Sequence, residues 1–261
     1  MFKHHAESIE KLKAKLAARE DILALLISGS IAHGFAKASS DVDVMIIVSD
    51  EDCARRLSSG ETTYWENEVT EYESGYVDGK YVSRGFLKQV AKLGSEPARF
   101  AFEGAIIAFS KLDGLEELLA DIVRYPAERK QENLSRFLAQ LEAWNWYSAE
   151  AIKHDNLYLL QHAVNNLVLF GGRLILAHNE MLYPYHKWFL KVLEQAPNKP
   201  EGLLRLIDRM LREPSADPIE AFYQSVKTFA DWGDDGRSWP SRFMEDSELN
   251  WLHGFTPVGD I

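Results

Sequence analysis

The chain has 261 residues and a formal net charge of −11 at pH 7, with an ordinary globular composition. The length predicts a sizeable core in one or two domains, and the negative charge disfavours a broad nucleic-acid-binding surface. The apolar runs are too short to cross a bilayer, the N-terminus is not signal-like, and the single cysteine, Cys53, excludes an internal disulfide. We therefore expect a soluble, cytoplasmic protein without a membrane partner.

The first predicted element is an amphipathic helix from His4 to Arg19, because apolar residues recur on one helical face. The spacing of apolar residues then changes. Ile22 to Ser28 is a short apolar run that ends at Gly29-Ser30, which predicts a buried strand followed by a tight turn.

A second strand is predicted after a loop at residues 31–40. It reads Asp-Val-Asp-Val-Met-Ile-Ile-Val from Asp41 and is rich in branched residues. Since residues two apart in a strand share a face, we expect Asp41 and Asp43 to project together, with Val42 and Val44 packed behind them.

An antiparallel strand pair is predicted from Thr62 to Tyr72 and from Tyr76 to Ser83, with the turn at Glu73-Ser74-Gly75. A competing interpretation places the turn at Asp78-Gly79, because this dipeptide is a strong hairpin signal. The remaining elements expected in this half are a helix at 86–93, a strand at 105–109 and a helix at 112–123.

The composition changes at Tyr125-Pro126, and the pattern beyond it is almost wholly helical. Helices are predicted at 134–152, 157–177, 185–195, 201–211 and 218–232. The sequence therefore predicts an α+β fold, with a mixed β-sheet flanked by helices in residues 1–125 and an all-helical domain in residues 126–261.

The paired carboxylates and the Gly-Ser turn together indicate phosphate chemistry. Two carboxylates on one strand face can hold one or two Mg²⁺ ions that bridge a triphosphate and an attacking oxygen, which is the predicted role of Asp41 and Asp43. A Gly-Ser turn lets backbone N–H groups and a hydroxyl approach phosphates without an intervening side chain. Gly29 and Ser30 are therefore predicted to bind the nucleotide.

The segment Leu-Ile-Ser-Gly-Ser-Ile-Ala-His-Gly, followed by Ser-Asp-Val-Asp-Val, resembles the signature of the polymerase-beta nucleotidyltransferase superfamily. The resemblance covers residues 20–110, and the helical remainder is similar to the small-molecule branch, which includes aminoglycoside and lincosamide adenylyltransferases. It implies an N-terminal nucleotidyltransferase domain and a helical acceptor-binding domain. It also implies Mg²⁺-dependent transfer of a nucleoside monophosphate, from ATP or another NTP, to a hydroxyl of a small molecule.

The superfamily usually adds a third carboxylate from a later strand, which completes the metal site or accepts the proton of the acceptor hydroxyl. Asp78 is the candidate. It would share a strand face with Lys80, and Lys80 and Arg84 are the cations expected to neutralise triphosphate charge.

Several alternatives stay open. If Asp78-Gly79 is a hairpin turn, Glu71 or Glu73 would supply the third carboxylate, and Glu103 is a weaker candidate for a general base. His33 follows the Gly-Ser turn and would contact a phosphate or the acceptor, or else lie exposed in the loop.

Polar residues in an otherwise apolar helix, namely Asn165, Asn166 and Arg173, are candidate acceptor contacts, with capping or core hydrogen bonds as the alternative. The expected partners are a nucleotide and a small acceptor rather than nucleic acid, with the chain as a monomer or a homodimer. Two other functions remain: a non-catalytic or antitoxin-like nucleotide-binding partner, and a nucleotidyltransferase that modifies a protein or an RNA end.

Overall fold

The computed structural model describes residues 1–233, 236–254 and 258. The chain divides into two compact units, Met1–Arg124 and Tyr125–Ile261. The first combines a five-stranded sheet with helices, and the described part of the second is helical. The predicted α+β fold class is confirmed.

The N-terminal unit is built on one mixed sheet in the described part of the chain. Its strands are β1 (Ile22–Ile27), β2 (Val42–Val48), β3 (Thr63–Glu66), β4 (Val77–Ser83) and β5 (Ile106–Ser110). They lie in the order β3-β4-β2-β1-β5, with β2 and β4 parallel and the other neighbours antiparallel. The strand that carries the Asp-x-Asp motif is therefore the central one.

Helices cover both faces of this sheet. They are α1 (Lys3–Ala17), α2 (Gly29–Ala32), α3 (Asp50–Ser59), α4 (Arg84–Leu93), α5 (Glu96–Phe100) and α6 (Leu115–Ile122). Alternate residues of β2 enter two apolar layers: Val44 packs with α1, whereas Met45 packs with residues of α4 and α6. Because the side-chain period of a strand is two, Asp43 lies on the same face as Met45, where the strand begins.

The edge of the sheet at β3 and β4 differs from the prediction. β3 ends at Glu66, so the predicted strand from Thr62 to Tyr72 is much shorter than expected. Asp78-Gly79 lies inside β4 and forms no turn. A Cβ at Gly79 would lie 2.4 Å from the Val44 carbonyl oxygen, so this glycine serves close packing between β4 and β2.

Three helices of the N-terminal unit, α2, α3 and α5, were not predicted; Gly29 and Ser30, which were expected to form a tight turn, begin α2. The hydroxyl of Ser49 accepts a hydrogen bond from the backbone N–H of Asp52, which caps the start of α3. The helix ends at Gly60 in the left-handed conformation, with φ of 77°. Both signals are local and were therefore available in the sequence.

The α-helices described in the C-terminal unit are α7 (Lys130–Lys153), α8 (Leu157–His178), α9 (Phe189–Gln195), α10 (Leu203–Arg212), α11 (Ala216–Lys227) and α12 (Trp239–Asp246). α7 and α8 are long neighbours joined by three residues, which makes them an antiparallel hairpin. α12 was not predicted. Within the described ranges, none of the helices combines the length and apolar character that a membrane span needs.

Candidate active site

The segment from the end of β1 through the start of α2 wraps the side chain of Asp43. Gly29 adopts a φ of +59°, and a Cβ on it would lie 1.9 Å from Asp43 Oδ2. The backbone N–H of Ser30 donates to Asp43 Oδ2 over 3.4 Å, and the N–H of Ser28 donates to the Asp43 carbonyl oxygen over 2.9 Å. Glycine is therefore required at position 29 both for its backbone conformation and for space.

The Ser30 side chain is buried beside this carboxylate, with 5% of its surface exposed. Its hydroxyl has no hydrogen-bond partner among the described residues. A buried polar group without a partner costs about 1–3 kcal/mol. The hydroxyl therefore fits a site that a ligand oxygen completes.

Asp41 lies at the neighbouring position, immediately before β2, and is held by Tyr76. The N–H of Val42 donates to the Tyr76 carbonyl oxygen over 3.1 Å, which places the two residues side by side. The Tyr76 phenol is hydrogen-bonded to the Asp41 carboxylate, and this bond raises the pKa of Tyr76. The charges of Asp78 and Asp43 raise it further, so all three aspartates lie around one phenol.

Asp78 enters the group through the parallel pairing of β2 and β4. Asp43 pairs with Asp78 and Met45 with Lys80, and paired residues on neighbouring strands project on the same face. Adjacent strands lie about 4.8 Å apart. The sheet therefore presents Asp41, Asp43 and Asp78 on one surface at the start of β2 and β4, with Lys80 two residues further along.

The carboxylates suit a metal ion whose remaining ligands come from the substrate. In the described residues, no three His, Cys, Asp or Glu side chains form a ready-made metal centre. Mg²⁺ is usually held by only one or two carboxylates together with substrate phosphates and water. Asp41 and Asp43 beside Gly29 fit that arrangement.

Arg84 is not brought to this group. It begins α4 beyond the opposite end of β4, and its guanidinium donates to the Asp113 carbonyl oxygen over 3.0 Å. Arg84 is six positions after Asp78 along the strand direction, which corresponds to about 20 Å. Lys80 is therefore the nearer of the two predicted cations.

The alternative acids serve other contacts. Glu71 forms an ion pair with Lys11, and this hydrogen bond lowers the pKa of Glu71. Glu73 is exposed in the turn before β4. Burial of the Glu103 carboxyl raises its pKa, although much of the residue's surface remains exposed.

His33 is half-buried and packs against α5. Its ring stacks on Phe100 with the centroids 4.4 Å apart, and the side chain is hydrogen-bonded to the backbone of Glu103. Burial lowers the pKa of His33. Its contacts anchor the chain just after the Gly-Ser turn.

Three aromatic side chains form hydrogen bonds with the loop before Asp41. The sequence did not predict these contacts. The imidazole of His4 is hydrogen-bonded to the Ala38 carbonyl oxygen (2.9 Å) and that of His5 to the Ser40 carbonyl oxygen (3.0 Å). The Tyr72 phenol donates to the same Ser40 oxygen over 2.8 Å. The loop is thus fixed from α1 and from the segment before β4, contacts that no local pattern signals.

The helical unit has its own cavities. One of about 720 Å³ is lined by aromatic and polar side chains of α7, α8, α12 and the residues that follow α12, among them Trp144 and Asn166. Asn165 and Asn166 both line a second, of about 390 Å³. Arg173 instead has its guanidinium between the rings of Phe137 and Tyr183, 4.3 Å from each centroid.

Comparisons with known proteins show no family. No family model matches the chain, and no curated protein matches it. Among solved structures, the chain is similar to a nucleotidyltransferase-like protein from Exiguobacterium sibiricum 255-15, with 11% sequence identity over 98% of this chain and 83% of that one and a TM-score of 0.48. At this level of similarity the function has to be argued from the residues of the site.

Proposed function

We propose that the chain is a Mg²⁺-dependent nucleotidyltransferase that moves a nucleoside monophosphate, AMP from ATP in the first instance, to a hydroxyl of a small-molecule acceptor. The observation that carries this proposal is the fit of Gly29 against Asp43, beside the buried and unpartnered hydroxyl of Ser30. A carboxylate and a hydroxyl thereby lie together where the central strand β2 begins. Mg²⁺ is bound by carboxylate and phosphate oxygens. A serine hydroxyl can donate a hydrogen bond to the same phosphate.

The residues divide the work by position. Gly29 and Ser30 bind the β- and γ-phosphates, because the turn offers backbone N–H groups and a hydroxyl. Asp41 and Asp43 would hold Mg²⁺, which when bound neutralises charge that develops on the phosphate oxygens. The Tyr76 phenol lies at the Asp41 carboxylate, whose presence raises the pKa of the phenol.

Asp78 is assigned to the acceptor. The acceptor oxygen attacks the α-phosphorus, the bond between the α-phosphorus and the bridging oxygen breaks, and pyrophosphate leaves. The hydroxyl proton passes to the Asp78 carboxylate, which lies one strand away from Asp43. Placement of the reactants and charge neutralisation supply most of the acceleration in such transfers.

The experiment that tests transfer uses ATP labelled in the α-phosphate, Mg²⁺ and a panel of small hydroxyl compounds, with protein and RNA fractions as separate arms. We expect the label on a small molecule and none in the absence of Mg²⁺. Label on a protein or an RNA end would replace the small-molecule assignment. No labelled product in any arm, together with no nucleotide binding, would favour a non-catalytic partner protein.

A further inference from the structure

A tryptophan extends the carboxylate row across the sheet. Asp43 of β2 pairs with Asp78 of β4, and Asp78 pairs with Trp65 of β3. Directly paired residues project on the same face. Trp65 therefore lies beside Asp78 and two strands away from Asp43, on the surface that carries the three aspartates.

Trp65 is not needed to hold β3 in place. Its neighbours on the other face do that: the Tyr64 ring packs edge-on against Tyr81, and Glu66 forms an ion pair with Lys15. Trp65 is 64% exposed and belongs to neither of the apolar layers found in the described residues. A broad indole is thus offered to solvent next to a candidate catalytic carboxylate.

The order of Gly29-Ser30, Asp78 and Trp65 across the sheet indicates whether ATP or the acceptor contacts the indole. In phosphoryl transfer the attacking and leaving oxygens are roughly in line with the phosphorus. With pyrophosphate leaving toward Gly29-Ser30, the attacking hydroxyl enters from the opposite side, where Asp78 lies. Trp65 is one strand further in that direction, so it faces the acceptor rather than the leaving group.

We propose that Trp65 is a specificity-determining residue that stacks on a ring of the acceptor, and that the acceptor class is a ring-bearing alcohol with a flat apolar face, such as a pyranoside or an aromatic alcohol. The proposal rests on the proposed function. Stacking on the indole positions the ring so that a hydroxyl on it, or next to it, meets Asp78. Indole faces stack with such rings, with a geometry that an aliphatic side chain does not reproduce.

The test compares defined probes. Methyl α-glucopyranoside and benzyl alcohol serve as ring-bearing hydroxyls and propane-1,2-diol as the ring-free one, with labelled ATP and Mg²⁺. The variants are Trp65→Ala and Trp65→Phe, with Trp146→Ala as the control, because Trp146 is a similarly exposed tryptophan (51%) of the helical unit. Transfer to each probe gives KM and kcat, and calorimetry gives the affinity for a non-hydrolysable ATP analogue.

We expect the wild type to prefer at least one ring-bearing probe over the diol. Trp65→Ala should raise KM for that probe about tenfold, which is the range of one aromatic stacking contact. Trp65→Phe should recover most of the loss, and Trp146→Ala should match the wild type. Affinity for the ATP analogue should be the same in all four proteins.

Three results would overturn the proposal: an equal preference in wild type and Trp65→Ala, no transfer to either ring-bearing probe by the wild type, or a loss of ATP-analogue affinity in Trp65→Ala, which would assign the indole to the nucleobase. The proposed function fails separately. It fails if the wild type does not bind the ATP analogue in a Mg²⁺-dependent way, a measurement that does not involve Trp65.

Discussion

Gly29 and Asp43 are packed so closely that a Cβ on residue 29 would lie 1.9 Å from one carboxylate oxygen and 2.3 Å from the carboxylate carbon of Asp43. The glycine of the Gly-Ser turn and the second aspartate of the Asp-x-Asp motif are therefore one structural unit, although they are separated in the chain and lie on different elements. The proposed metal and phosphate sites share this contact.

Gly29→Ala should displace the Asp43 carboxylate and abolish Mg²⁺-dependent nucleotide binding. The left-handed conformation at φ of +59° adds a backbone cost of about 1–2 kcal/mol for a residue with a Cβ. Gly34→Ala is the matched control, because Gly34 has a φ of +72° and no atom within 4 Å of its Cβ position. We expect a similar backbone cost from Gly34→Ala in denaturant unfolding but normal calorimetric binding. Equal binding by both variants would contradict the role of the contact.

Ser30→Ala should affect stability and ligand affinity in opposite directions. The mutation removes a buried hydroxyl that has no partner in the described residues, so the free energy of unfolding should stay the same or rise. Affinity for the ATP analogue should fall at least about tenfold, because a hydrogen bond to a charged phosphate is worth about 1.5–3 kcal/mol.

Ser83→Ala is the contrasting variant. Ser83 is buried as well, but its hydroxyl accepts from the Phe86 N–H over 3.1 Å and caps α4. Its loss should lower the free energy of unfolding by about 1 kcal/mol and leave nucleotide affinity unchanged. A Ser30→Ala protein that loses stability yet binds nucleotide normally would remove Ser30 from the site.

Asp78→Asn should separate binding from chemistry. Asp78 is exposed on β4 and is assigned to the proton of the acceptor rather than to Mg²⁺. We expect affinity for the ATP analogue to change little, while the rate of transfer falls about 10²–10⁴-fold, the range of general-base catalysis. Rapid-quench measurement of a single turnover checks this directly. Wild-type rates in Asp78→Asn would assign the proton to another group, and a parallel loss of affinity would make Asp78 a metal ligand.

The stability of the fold should fall between pH 7 and pH 5. Burial lowers the pKa of both His5 and His33 below the ordinary value of 6.5; His4 lowers that of His5 further, whereas the Ser40 carbonyl and Asp41 oppose the shift. The unfolded chain therefore binds more protons than the folded chain below about pH 6.5, and the free energy of unfolding decreases as the pH falls.

The combined His5→Gln and His33→Gln variant should flatten this dependence, as measured by urea unfolding at a series of pH values. His154→Gln, which changes an exposed histidine, is the control and should keep the wild-type slope. An unchanged slope in the double variant would show that neither histidine is held neutral by the fold.

Local pattern was sufficient for β1 and β2, because each is specified by a change in hydrophobic period within a few residues. It did not show that Gly29 and Ser30 begin a short helix. It was not sufficient for Asp78-Gly79. The dipeptide has the composition of a hairpin turn, but Gly79 packs against Val44 of a strand far away in sequence. Packing between β4 and β2 therefore outweighed the local preference of Asp78-Gly79 for a turn.

The residues that surround the aspartates could not be predicted from local sequence, because tertiary packing also decides their positions. Tyr76 and Trp65 reach the site only through the pairing of β4 with β2 and β3, and His5 reaches the loop before Asp41 from α1. Conversely, Arg84 follows Lys80 closely in sequence but lies at the other end of the strand. Such positions depend on strand order, which one sequence does not specify.

The most direct test of the central claim is calorimetric titration of a non-hydrolysable ATP analogue, with and without Mg²⁺, into wild type, Asp43→Asn and Asp208→Asn. The last is the control, because Asp208 forms an exposed ion pair with Arg212 in the helical unit. We predict binding that requires Mg²⁺ in the wild type and in Asp208→Asn and that is lost in Asp43→Asn, with all three proteins folded. Binding that is independent of Mg²⁺ or undiminished in Asp43→Asn would contradict a metal-dependent nucleotide site at Asp43.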